Sequence, residues 1–318
     1  MRDGNNAMRI LDHAAVDAAL PWPDLLDALD RLFREGGVEA PLRHAHPLPE
    51  GGTLLLMPAW QAAGRYAGVK AVQVSPGNGA RGLPAVHATY LLSEAATGRP
   101  LAVLDGGALT DRRTAAASVL AARRLARPDS ARLLLLGSGR VARALAGCYA
   151  SAFPIRDVAV WSRTPANAER LARDLAGAGL PARAVASPDP SGADIVAAAT
   201  LSEVPLVRGA EVAPGTHVDL VGAFRPTMRE GDGALLARAT LVVDTRAGAL
   251  AEAGDVVQAI REGHLAPEGV AADLAALCRG EHPGRARADE VTVFKSVGWA
   301  GEDLAAAALA YERTAGAA

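Results

Sequence analysis

From Arg132 onward, apolar runs alternate with amphipathic stretches, the pattern of a parallel sheet with helices on its faces. Arg132–Leu136, Asp157–Val160, Ala182–Ala186, Asp194–Ala198, His217–Val221 and Leu241–Asp244 predict strands, most of them separated by helical periodicity. Val291–Phe294 predicts one more. Up to about Gly107 the pattern is different. Trp22–Phe33 places Leu25, Leu26, Ala28, Leu29 and Leu32 on one helical face and stops at Gly36-Gly37. Thr53–Met57, Tyr66–Val74, Val86–Leu92 and Leu101–Leu104 follow as strands set apart by Gly, Pro and Asn clusters, as in an antiparallel meander. Asp111–Leu125 predicts the helix that links the two patterns, and Gly301–Tyr311 an alanine-rich helix with no place in the parallel sheet.

The first strand of the parallel pattern carries the most specific chemistry. Leu133 to Leu136 run without a polar interruption into Gly137-Ser138-Gly139-Arg140-Val141-Ala142, a G-x-G-x-x-A that opens the helical pattern Val141, Ala144, Leu145, Cys148. Gly137 permits the tight turn, Gly139 lets backbone approach a pyrophosphate, and Ala142 lets helix pack on strand, so the helix's free N–H groups face the anion. Ser138, Arg140 and Val141 belong to the same cradle, and a doubly wound, Rossmann-type dinucleotide unit is the expected fold. Where the next strand ends, an NAD-selective site would carry a carboxylate for the ribose hydroxyl. This chain has Ser162-Arg163-Thr164-Pro165 instead, and a guanidinium between two hydroxyls suits a 2′-phosphate, so NADPH is expected ahead of NADH. Thr164 and Pro165 also read as a helix cap and first turn, which leaves Arg163 available.

Composition narrows the partners. A formal net charge of −2 over 318 residues gives no field to draw nucleic acid or an anionic membrane, so a small molecule is expected. Aromatic residues make up only 4%, so burial must come from close packing of alanine and leucine. Cys148 and Cys278 read as buried thiols in a reducing cytoplasm, and His44, His46, His264 and His282 show no metal-ligand spacing. Met1–Asn6 lacks the apolar stretch of a signal peptide, and no run reaches the length of a membrane span.

Several segments, in order and spacing, resemble the ornithine cyclodeaminase/mu-crystallin family. They are Gly68-Val69-Lys70, Gly82-Leu83-Pro84-Ala85-Val86-His87-Ala88-Thr89, Thr97-Gly98-Arg99-Pro100, Leu109-Thr110-Asp111-Arg112-Arg113-Thr114-Ala115-Ala116, the glycine loop, Val221-Gly222-Ala223-Phe224-Arg225-Pro226 and Val293-Phe294-Lys295-Ser296-Val297-Gly298. The resemblance implies an α/β chain in which a Rossmann domain, residues 118–294, is inserted into an α+β substrate-binding and dimerisation domain, residues 1–117 with 295–318. It also implies a homodimer and a nicotinamide cofactor.

By the same resemblance, Arg43 and Arg113 match positions that hold a substrate carboxylate, and Lys70 the lysine at the reacting carbon. Bidentate guanidinium binding would fix which face of that carbon meets the nicotinamide. Lys70 and Lys295 are the only lysines of the chain, and both fall in these motifs. Thr114 is expected to cap the helix after Arg113 or to touch a cofactor phosphate, and Arg113 itself is expected at the cofactor as well; Thr200 and Gly222 are expected at the cofactor edge, with Phe224 and Ser296 walling the pocket. Glu252 and Asp255 read as helix-start residues.

One departure sets the reaction. Family cyclodeaminases carry a catalytic aspartate where Phe224 stands here, and a phenylalanine moves no proton. Expelling ammonia needs general acid–base help of that kind, whereas reducing a preformed cyclic imine requires less. The expected activity is therefore reduction of a cyclic α-imino acid, Δ1-pyrroline-2-carboxylate or Δ1-piperideine-2-carboxylate, to L-proline or L-pipecolate, with Lys70 or His87 supplying the proton. Ornithine cyclodeamination, an alanine dehydrogenase-like reaction and a non-enzymatic binder of NADPH are the alternatives.

Overall fold

A computed structural model describes residues 8–315; the Met1–Asn6 segment, expected to carry no signal peptide, lies outside the described residues. The chain forms two compact units, one of residues up to Arg113 with those from Trp299, the other Thr114–Gly298. The resemblance implies divisions after residues 117 and 294, and these units differ from that by placing 114–117 and Lys295 to Gly298 in the second.

In the first unit, β1 (Arg9–Leu11), α1 (His13–Ala19), α2 (Trp22–Glu35), β2 (Val38–Glu39) and β3 (His44–Pro47) precede the long strands β4 (Thr53–Gln61), β5 (Tyr66–Val74), β6 (Val86–Glu94) and β7 (Pro100–Asp105). The sheet runs β1-β7-β6-β5-β4-β2, with β3 also on β4. All pairs are antiparallel except β1 on β7, which three residues are too few to announce in sequence. Leu25, Leu26, Leu29 and Phe33 of α2 are buried, and Phe33 meets Trp299 at 5.5 Å between ring centroids. The C-terminal helix, α10 (Ala300–Ala315), packs on β4, β5 and α2, which gives the alanine-rich segment its place.

The linking helix, α3 (Gly106–Leu125), starts five positions before Asp111, because the Asp105 carboxylate accepts from the Ala108 N–H at 2.7 Å and caps it. Thr114 is therefore a buried residue of the helix interior, and the expectation that it caps a helix is corrected.

The second unit alternates β8 (Arg132–Leu136), α4 (Arg140–Ala152), β9 (Asp157–Trp161), α5 (Pro165–Gly177), β10 (Ala182–Ala184), β11 (Ile195–Ala198), β12 (His217–Leu220), α6 (Gly233–Arg238), β13 (Thr240–Val243), α7 (Arg246–Glu252), α8 (Gly254–Arg261), β14 (Val270–Asp273), α9 (Leu274–Arg279) and β15 (Thr292–Lys295). Its sheet, all parallel, runs β10-β9-β8-β11-β12-β15-β13-β14. The order reverses between β8 and β11, and ligands of such sheets bind outside the carboxyl ends of the strands at that point.

Strand β12 is buried throughout yet carries two titratable side chains on one face. Asp219 accepts from Ser118 Oγ and Tyr149 OH, both at 3.1 Å, and His217 Nδ1 lies 2.9 Å from Thr292 Oγ1. Burial pushes Asp219 up to about 7 and His217 down to about 3. The raised Asp219 contributes stability that is lost as pH rises toward 7, while the depressed His217 contributes stability that is lost as pH falls below its ordinary value toward 3. The two slopes oppose one another through the acidic range. Asp219→Asn is expected to leave stability unchanged near pH 4 and to raise it by about 4 kcal/mol at pH 8, exposing the His217 slope. Thermal unfolding of both proteins across that range checks this; parallel curves would assign the titration elsewhere.

Candidate active site

At the carboxyl edge of the second sheet, three loops meet through glycines. Gly137, after β8, has φ +119°, and a Cβ there would lie 2.5 Å from the Ala199 carbonyl oxygen of the loop after β11. Gly222, after β12, is pressed against that same loop, where a Cβ would come within 1.9 Å of Thr200 O. Gly139 is the opposite case: a Cβ there meets nothing within 4 Å. It is the N-cap of α4 and offers no side-chain cap, and open space stands before this end of the 13-residue helix, where the first N–H groups have no carbonyl partner within the helix. This cradle fits a dinucleotide pyrophosphate.

The remaining expected cofactor residues distribute around it. Arg140 and Val141 are the first residues of α4, and Ala142 is fully buried against the strand side. Ser138 Oγ donates to Ser162 Oγ at 3.0 Å, and Gly137 N–H to Trp161 O at 2.9 Å, tying the glycine loop to the end of β9. Arg163 and Thr164 are exposed just beyond. Thr164 occupies the N-cap position of α5 without a side-chain cap hydrogen bond, so its capping role is positional only. Thr200 is bound more tightly than a ligand-contacting hydroxyl needs to be: Oγ1 donates to Glu230 at 2.7 Å and accepts from Ser202 N–H at 3.2 Å. Ser296 is buried just past β15. Phe224 packs partly on the hydrophobic core, with the Arg225 guanidinium 5.6 Å from its ring centroid.

One helix-start reading is corrected, that of Glu252, while that of Asp255 holds. Glu252 is the last residue of α7, and Asp255, in the first turn of α8, is fully buried. Asp255 Oδ1 accepts from the N–H groups of Glu230 and Gly231 at 2.7 and 2.8 Å, and Oδ2 pairs with Lys295 at 3.2 Å. A dipole preference explains a solvated aspartate; this one is a partner for a buried lysine.

The second cluster lies in the first unit. Lys70, on β5, is 1% exposed, which removes the reading of it as a surface cation. Its Nζ donates to Asp303 Oδ1 at 2.7 Å and to Thr110 Oγ1 at 3.3 Å. Arg113 is equally enclosed, its Nε on the same Asp303 oxygen and its Nη1 on Glu302, both at 2.9 Å. Part of the guanidinium fork that was expected to grip a substrate is therefore already committed within the protein. Tyr90, directly opposite Lys70 across β5 and β6, is buried with its hydroxyl against Gly68, where any Cβ would come within 2.4 Å.

Burial pulls the Lys70 ammonium down to about 8, the Asp303 carboxylate opposes that, and the charges of Arg113 and Arg43 add to it. At Asp303, burial would raise the carboxyl, but Arg113 and Lys70 outweigh it and hold the group below its ordinary value. Lys70 and Arg113 pair with Asp303 and Glu302, and Arg43 lies near enough for its charge to act on Lys70. The lysine of this cluster is poised to lose a proton just above neutral pH. His87, the other expected proton donor, is exposed on β6, opposite Gln73.

Asp303 and Glu302 were not anticipated. Adjacent acids in the first turn of a helix read as dipole partners in solvent, and the hint to the contrary is that the next seven residues, Leu304 to Ala310, are all alanine or leucine.

The sequence profile of the ornithine cyclodeaminase/mu-crystallin family matches residues 8–318. The Δ1-pyrroline-2-carboxylate reductase of Paracoccus denitrificans is 41% identical over 94% of this chain and 95% of its own. Among solved structures, the Thermococcus litoralis Δ1-pyrroline-2-carboxylate reductase in complex with NADH and L-proline superimposes with a TM-score of 0.94 at 32% identity, covering 98% of both chains. An archaeal alanine dehydrogenase dimer with bound NAD gives 0.91 at 30% identity, covering 98% of this chain and 97% of that one.

Proposed function

This chain belongs to the ornithine cyclodeaminase/mu-crystallin family, and from that premise we propose that it is an NAD(P)H-dependent reductase of cyclic α-imino acids, with NADPH preferred. The substrates are Δ1-pyrroline-2-carboxylate and Δ1-piperideine-2-carboxylate, the products L-proline and L-pipecolate, and the working form is a cytoplasmic homodimer. The observation that carries this reading is the buried Lys70, held between Asp303 and the charges of Arg113 and Arg43.

Arg43 and the uncommitted N–H groups of Arg113 bind the substrate carboxylate. Lys70 Nζ gives its proton to the imine nitrogen, which makes the adjacent carbon electrophilic. Asp303 keeps Lys70 charged in a site where burial alone would strip the proton, and it holds Nζ in place. A bound nicotinamide cofactor supplies the hydride that completes the reduction. Gly137, Gly139 and the start of α4 hold its pyrophosphate, and Arg163 its 2′-phosphate. Phe224, which by the resemblance stands where cyclodeaminases carry an aspartate, offers no base, so the route that expels ammonia from ornithine lacks its proton acceptor.

The test is consumption of NADPH and NADH with each cyclic imine, with pyruvate plus ammonia, and with ornithine. Oxidation confined to the cyclic imines is expected. Ammonia release from ornithine would make the protein a cyclodeaminase, and turnover of pyruvate with ammonia a dehydrogenase of open-chain acids.

Cofactor choice has its own check. Removing a charge-assisted contact to phosphate costs about 1.5–3 kcal/mol, so Arg163→Ala is expected to weaken NADPH roughly tenfold or more and to leave NADH nearly unchanged. Equal losses for both cofactors would remove Arg163 from the phosphate site.

A further inference from the structure

Glu230 is fully buried and spans two loops at the carboxyl edge of the parallel sheet. Its Oε1 accepts from Thr200 N–H at 2.6 Å and from Thr200 Oγ1 at 2.7 Å, and its Oε2 accepts from Gly222 N–H at 2.6 Å. One carboxylate thus closes the loop after β11 onto the loop after β12. These are the loops whose backbones approach so closely that Gly222 has no room for a Cβ.

The residue is itself held from several sides. Its N–H donates to Asp255 Oδ1 at 2.7 Å, and its carbonyl accepts from Leu206 and Val207 at 2.7 and 2.9 Å. Asp255 is paired with Lys295, whose Nζ also donates to the Leu220 carbonyl at the end of β12. A chain of contacts therefore runs from β15 through Lys295, Asp255 and Glu230 to the two loops. Three donors on two carboxylate oxygens, with no donor returned, fix both loop backbones without help from solvent.

We propose that Glu230 is a positioning residue for the cofactor, locking the loops after β11 and β12 into the one arrangement that admits the nicotinamide end. This rests on the nicotinamide-dependent reading above. Thr200 then acts as a strut between Glu230 and the loop, because its hydroxyl proton is already given away. Binding gains from such pre-organisation because the loops do not have to be ordered when the cofactor arrives.

The test compares Glu230→Gln and Glu230→Asp with the parent in the full-length protein. Glutamine cannot accept at both loops, since one of its ends donates, and aspartate is one methylene too short to reach both while keeping the charge opposite Lys295. The expected result is a dissociation constant for NADPH, read by its fluorescence without any imine, that rises about tenfold or more in both variants. At saturating NADPH the KM for the imine and the alkaline limb of the rate near pH 8, set by Lys70, stay as in the parent. Should Glu230→Gln fail to fold, Glu230→Asp and Thr200→Val carry the test, the latter with a rise of about threefold from loss of one hydrogen bond. Parental NADPH affinity in the folded variants would overturn the proposal, as would an affinity loss matched by an equal disturbance of imine KM and of the alkaline limb. A parent that binds neither NADPH nor NADH would overturn the nicotinamide reading and this proposal with it.

Discussion

Lys70→Arg is expected to lower kcat/KM for imine reduction by a factor of about 10²–10⁴ and to erase the alkaline limb of its pH profile. In the parent, the donor must carry its proton, and burial sets its pKa to about 8, so kcat/KM falls tenfold per pH unit above that value. Arginine keeps a positive charge opposite Asp303 but does not release its proton near neutral pH. The alanine variant answers a different question. It leaves Asp303 and Glu302 with Arg113 as their buried cation, and breaking a buried pair costs about 3–5 kcal/mol, so a loss of rate would be mixed with a loss of fold. A parental profile that stays flat through pH 8 would remove Lys70 from the proton path and leave the exposed His87 to be tested.

The glycine loop yields the second large effect, through a contrast between two neighbours. Gly137→Ala is expected to destabilise the second unit and to abolish NADPH binding. Its φ of +119° lies outside the range of other residues, and a methyl would be driven into a backbone oxygen at 2.5 Å. The conformational part alone is worth about 1–3 kcal/mol. Gly139→Ala should behave differently. Its φ of −81° suits alanine, and the new methyl touches no protein atom, so thermal stability falls by less than about 1 kcal/mol. The methyl does stand where phosphate must approach the helix, and NADPH affinity is expected to drop at least about tenfold. Unfolding curves and fluorescence titrations separate the two outcomes. Full NADPH affinity in Gly139→Ala would remove the cradle from the cofactor site.

Much of this was legible before any coordinates. The parallel strands announce themselves because a strand buried on both faces must be apolar at every position, as Leu133 to Leu136 are. The cradle is legible because its steric demands fall on consecutive residues: a turn at Gly137, open space at Gly139, a small side chain at Ala142. Lys70 stands out by scarcity and motif. Less legible were the short pieces: β1 and β3 are too brief to show a period, and α3 begins at an aspartate cap rather than where its apolar pattern becomes clear.

What one-dimensional pattern could not supply is the partner of each buried charge. Lys70 and Asp303 stand 233 positions apart, and Arg113 and Asp303 190. Asp255, Glu302 and Asp303 all sit in helix first turns, where local rules place acids in solvent. Local rules depend on neighbours in sequence, whereas the cost of burying a charge depends on what lies within a few ångströms in space. The amino-acid sequence therefore determined the α/β architecture and the glycine loop, and it singled out Lys70 as the lysine to propose for the reaction. Only the tertiary structure decided that this lysine is buried, that Asp303 keeps it charged, and that Glu230 joins two loops whose glycine and threonine gave no sign of sharing a carboxylate.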